Sequence, residues 1–170
     1  MPLVCRLAVL IGLMAHAASG IAQKPIDCAA SAEHRAFDFW VGDWIVRDSG
    51  GSVLGHNQIR PIQKACALEE QWTSMNGGTG QSVNFYHPGE GRWRQIWTDA
   101  GNSIIDIRGG LDGDSMLLEG KIFYLQNGSE RAFRGRWIPL EDGRVQQVFH
   151  EEDDKGEWQL WFEGYYTRKD

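Results

Sequence analysis

The chain has 170 residues and a formal net charge of −6, with 17 Lys+Arg against 23 Asp+Glu. An acidic surface of this kind repels nucleic acid and anionic lipid, which excludes both as ordinary partners. The length suits one domain with a single core.

The first 22 residues have the layout of a secretory signal. Arg6 and the amino terminus supply positive charge, Leu7 to Ala18 is an apolar run, and Gly20-Ile21-Ala22 offers small residues at a cleavage site. Cleavage there starts the mature chain near Gln23 and leaves 23–170 as a single domain. Loss of Arg6, the only formal charge in that stretch, moves the net charge from −6 to −7. The apolar run is too short to span a bilayer comfortably, and no later stretch approaches the roughly 20 apolar residues of a membrane helix. Cys28 lacks the apolar and small residues that precede a lipidated cysteine, so a periplasmic or secreted protein is expected. Cys28 and Cys66 are the two cysteines left after cleavage. In an oxidising compartment an isolated pair in a small domain is most simply a disulfide, here tying the N-terminal segment to the body.

Ser31 is placed to cap a helical turn running through Glu33, His34 and Phe37 to about Trp40. The stretch Phe37-Asp38-Phe39-Trp40-Val41-Gly42-Asp43-Trp44-Ile45 packs four rings into nine residues. It suits a turn that plugs an apolar interior and hands over to a first strand through Gly42. From there turn signals recur every 8 to 12 residues or so, among them Asn76-Gly77-Gly78, Asp112-Gly113 and Asp142-Gly143. About ten short strands lie between them.

Several strands alternate. Leu68, Glu70 and Trp72 share one face, as do Trp93, Gln95, Trp97 and Asp99. In the last strand the alternation groups Trp158, Leu160, Phe162, Gly164 and Tyr166 against Gln159, Trp161, Glu163 and Tyr165. No helical period of useful length follows residue 45. The expected fold is therefore all-β: an antiparallel up-and-down barrel of about ten strands, closed by pairing of the first and last, with a short N-terminal helix.

The pattern Phe37-Asp38-Phe39-Trp40-x-Gly42-x-Trp44 resembles the opening of a family of small secreted bacterial proteins with a calycin-like barrel, distantly similar to lipocalins and nitrobindins. The resemblance continues through Cys66-x-Leu68-Glu69-Glu70-x-Trp72, Trp93-x-Gln95-x-Trp97-x-Asp99 and Gly143-x-Val145-x-Gln147, covering nearly all of the mature chain. It implies a barrel with an interior cavity and carries no settled activity. Nitrobindins hold haem through a histidine. Here His34, His56, His87 and His150 lie in no matching motif, so no cofactor is expected. No histidine or cysteine pair has the close spacing of a zinc site, so no metal is expected either.

Glu70, Gln95 and Gln147 alternate with apolar residues on their strands. If those faces point inward, a carboxylate and two amides converge among the rings of Trp72, Trp93 and Trp97. That is a pocket for a small aromatic or amphipathic molecule. Burial would raise the pKa of Glu70 unless Arg134 or Arg136 paired with it, which makes Glu70 the candidate catalytic acid or base of a cofactor-independent lyase or isomerase. The competing reading is a filled barrel in which the same polar groups satisfy one another. Glu69 and Glu70 cannot act as a glycosidase pair, because consecutive strand residues face opposite ways. No nucleophile elbow and no phosphate-cradling glycine loop is present. The sequence leaves the oligomeric state open.

Overall fold

A computed structural model describes residues 25–169; the expected signal segment and its cleavage site lie outside them. Ten antiparallel strands close into a barrel: β1 (Gly42–Arg47), β2 (Val53–Ile62), β3 (Ala67–Ser74), β4 (Thr79–His87), β5 (Arg92–Asp99), β6 (Ser103–Asp112), β7 (Ser115–Tyr124), β8 (Glu130–Pro139), β9 (Val145–Glu152) and β10 (Trp158–Arg168). Each strand pairs with its sequence neighbours, and β1 closes the ring on β10 with Trp44 opposite Arg168 and Val46 opposite Tyr166. Closure leaves no free sheet edge.

Eight of the nine hairpins turn through a glycine with positive φ, such as Gly77 (83°) and Gly113 (62°). The exception joins β2 to β3. There Gln63, Lys64 and Ala65 all sit in the left-handed region, with φ of 50°, 57° and 63°. Cys66 follows at once and is bonded to Cys28, as its pairing in an oxidising compartment predicts.

The N-terminal segment is more broken than a single helical turn. Ser31 Oγ accepts from the His34 amide and caps helix α1 (Ala32–Arg35). The chain then leaves the helix at Phe37 (φ −107°, ψ 9°) and makes a separate 3₁₀ turn over Asp38–Trp40. This break lets Phe37 and Trp40, both fully buried, enter the barrel end together. Phe37 stacks on Trp40 at 5.0 Å and meets Trp93 and Trp137 edge-on at 5.6 and 5.2 Å. Trp44 Nε1 donates to the Trp40 carbonyl at 2.9 Å and Trp93 Nε1 to that of Glu33, also at 2.9 Å. These two bonds tie the plug to the strands, whereas the Trp40 and Trp137 N–H groups are buried without a hydrogen-bond partner among the described residues, so packing alone holds those rings.

Candidate functional site

Period-two alternation divides the inner wall in two. Strands β6 to β8 present Ile105, Ile107, Leu118, Ile122 and Phe133, all apolar and buried. On the opposite side Asn57, Glu70, Ser82, Asn84 and Gln95 come from β2 to β5, and Gln147 and Tyr166 from β9 and β10. Away from the plug lies a cavity of about 210 Å³ lined by Glu70, Trp72, Gln95, Trp97, Ile105, Gln147, Phe149, Trp161, Phe162 and Tyr166. An engineered apolar cavity of about 150 Å³ admits benzene, so this space is larger than one unsubstituted ring.

The space exists because the wall rings lie flat over positions without a side chain. A Cβ on Gly80 would meet the Trp97 ring at 2.0 Å, and one on Gly135 would meet Phe149 at 2.4 Å. Gly55 underlies Trp72 and Gly164 underlies Phe162 in the same way. With a Cβ at those sites the rings would be pushed toward the barrel axis and occupy the cavity.

The polar residues form one hydrogen-bonded row across the barrel. Gln95 Nε2 donates to Asn84 Oδ1 at 2.8 Å, Asn84 Nδ2 to Ser82 Oγ at 2.8 Å, and Ser82 Oγ to Glu70 Oε2 at 2.6 Å. From the other side Asn57 Nδ2 donates to Glu70 Oε1 at 2.7 Å and to the Tyr166 hydroxyl at 3.3 Å. The Tyr166 hydroxyl in turn donates to Gln147 Oε1. Glu70 is therefore the acceptor on which the row converges, and every group touching it is neutral. Burial pushes its pKa up to about 7, against the lowering effect of the Ser82 and Asn57 hydrogen bonds. Tyr166 is pushed well above the usual tyrosine value by burial and by the adjacent Glu70. Asn57 Oδ1 is a buried acceptor with no partner among the described residues.

Neither arginine that the sequence offered as a counter-charge reaches Glu70. The Arg134 guanidinium lies 4.2 Å over the Trp158 ring, and Arg136 pairs with Asp112 at 2.5 Å, both outside the barrel. His150 shares that outer face, opposite Arg134, where burial and the arginine lower its pKa. It is remote from the cavity wall, as are the exposed His56 and His87.

Of the residues singled out from sequence, the structure gathers Glu70, Trp72, Gln95, Trp97 and Gln147 around one cavity. Trp93 stands apart, one turn of the alternation nearer the plug, buried against Phe37 with its N–H on Glu33. The last strand departs from simple alternation. A bulge between Leu160 and Phe162 places Phe162 opposite Phe149 and leaves Trp161 unpaired. Trp161 then faces the cavity together with Phe162, packing edge-on against Phe133 at 5.4 Å and reaching the Tyr124 hydroxyl through Nε1 at 3.3 Å. Trp158 and Leu160 consequently lie on the outer face, apart from Phe162 and Tyr166. The signal for this was the unbroken apolar run Leu160-Trp161-Phe162, which no alternating strand with one wet face explains. Asn57, Ser82 and Asn84 were also missed; each alternates with an outward neighbour and shares the inward face with the residues of the row.

Toward the open end, the inner face carries Asp99 and Glu151. Asp99 accepts from Ser103 Oγ at 2.8 Å. Glu151 accepts from the Tyr124 hydroxyl and pairs with Arg131 at 3.2 Å. Among the described residues no cluster of three His, Cys, Asp or Glu side chains is arranged to hold a metal ion, and no helix is long and apolar enough to cross a membrane. Compared with known proteins, the chain matches no family model and no curated protein sequence.

Proposed function

We propose that this chain is a secreted or periplasmic calycin-like barrel that binds a small aromatic or amphipathic molecule in its cavity. The observation that carries the reading is the cavity itself: aromatic walls held back by glycines, and a continuous polar row along one side. Few, convergent polar groups among apolar walls are the usual composition of a small-molecule site. The signal-like residues 1–22 and the Cys28–Cys66 disulfide support an oxidising compartment. The Phe37-Asp38-Phe39-Trp40-x-Gly42-x-Trp44 opening, together with the closed ten-stranded barrel, supports the kinship with secreted calycin-like proteins.

One observation favours a second reading, a cofactor-independent lyase or isomerase. Glu70 faces the cavity with a pKa of about 7, which suits a general acid or base at neutral pH. A turnover lost in Glu70→Gln but retained in Trp97→Ala would favour it over simple binding.

Native mass spectrometry of the mature protein isolated from its own compartment tests the binding reading. A retained small molecule, lost in Trp97→Ala, is the expected result. An empty protein that no member of an aromatic compound panel stabilises against heat would overturn it in favour of a purely structural barrel.

A further inference from the structure

The charge inventory of the cavity narrows the chemistry of its occupant. Among the residues lining it, only Glu70 and Tyr166 titrate, and none is a lysine, arginine or histidine. The groups facing Glu70 are Asn57 and Ser82 on the neighbouring strands β2 and β4, and Tyr166 from β10, which shares the Asn57 amide, all uncharged near neutral pH. A buried carboxylate held only by neutral donors lacks the counter-charge that would make its ionised form inexpensive. At the open end Asp99 and Glu151 add two carboxylates against Arg131, which is itself shared between Glu151 and Asp154 at 3.2 and 2.7 Å. An anion entering there meets more carboxylates than cations, and beyond them no cation lines the cavity. A neutral ring would leave Glu70 without a charge partner.

We infer that the occupant is a small organic cation, an arylalkyl amine, with its ammonium on Glu70 and its ring among the indoles of Trp72, Trp97 and Trp161. The inference rests on reading the barrel as a ligand-binding protein. Each Glu70 oxygen accepts a single hydrogen bond within the protein, so each keeps a lone pair for an ammonium N–H. Indole faces are the preferred aromatic partners of a cation, and their attraction grows once water is excluded. The volume of about 210 Å³ suits one ring with a short arm.

Phenethylamine and phenethyl alcohol have the same number of heavy atoms and differ in charge. Each would be titrated calorimetrically into the mature protein at pH 6 and pH 8. The amine stays protonated over that range, Tyr166 stays neutral, and Glu70 passes from mostly protonated to mostly ionised. The expected result is amine binding about tenfold tighter at pH 8 than at pH 6, with the alcohol at least tenfold weaker than the amine at pH 8. Glu70→Gln should abolish both the preference and the pH dependence. The alcohol binding as well as the amine, or the amine binding better at pH 6, overturns the cation and leaves the binding reading intact. Binding of neither probe overturns the inference; an empty protein in native mass spectrometry would remove the binding reading as well.

Discussion

At the scale of single residues, the placement of Glu70 couples folding to pH. Its folded pKa, about 7, lies above the ordinary value of 4.5. A carboxyl raised in this way contributes stability that is fully present below pH 4.5 and is lost as pH rises through 7. The difference of about 2.5 pKa steps corresponds to roughly 3 kcal/mol. Urea unfolding of the wild type between pH 5 and pH 8 should therefore show stability falling, and Glu70→Gln should flatten that slope; an unchanged slope in the variant would place the pH dependence elsewhere. That Glu70, Gln95 and Gln147 face inward was legible from their alternation with Trp72, Trp97 and Phe149. Their linkage was not. Which residue opposes which depends on register, and Ser82 opposite Glu70 or Gln95 opposite Asn84 appears only once β3, β4 and β5 are paired.

At the scale of strands, four of the cavity rings depend on a glycine, and for three of them, Trp72 over Gly55 among these, that glycine sits on the neighbouring strand directly beneath. Gly80 on β4 lies under Trp97 of β5, and Gly135 on β8 lies under Phe149 of β9. Gly80→Ala should drive the Trp97 indole toward the barrel axis, shrink the cavity and weaken phenethylamine binding by tenfold or more. The overpacking should cost about 1–3 kcal/mol of stability. Tryptophan fluorescence and calorimetry check both effects together. Unchanged binding would show that the ring finds another rotamer without filling the space. In the sequence these glycines carry no turn signal, and their role comes from a cross-strand neighbour that alternation alone cannot name. The bulge in β10 was hidden for a related reason. One extra residue inverts every assignment beyond it, so Trp158 and Leu160 leave the inner face while Trp161 joins it.

At the scale of the molecule, the barrel's order was legible because hairpins declare themselves. Glycines with positive φ mark eight of nine connections, and a meander of sequential antiparallel neighbours follows from short loops. The disulfide holds the plug-bearing segment to the one connection without glycine. It closes a separation of 38 residues, for which loop-closure entropy gives about 4 kcal/mol. The Cys28→Ser, Cys66→Ser double variant should keep its strand content by circular dichroism while its melting temperature falls by roughly 10 °C. An unchanged melting temperature would mean that Phe37, Trp40 and Trp93 hold the plug without covalent help. What length and composition could not reveal was whether the barrel is hollow, since Trp-rich faces fill a core as readily as they line a pocket. A crystal structure of the protein grown with phenethylamine at pH 8 should show density for the amine between Trp72, Trp97 and Trp161, with its nitrogen within hydrogen-bonding distance of Glu70. A cavity closed by inward-turned Trp97 and Trp161 rings, with Glu70 satisfied only by Asn57 and Ser82, would contradict amine binding there.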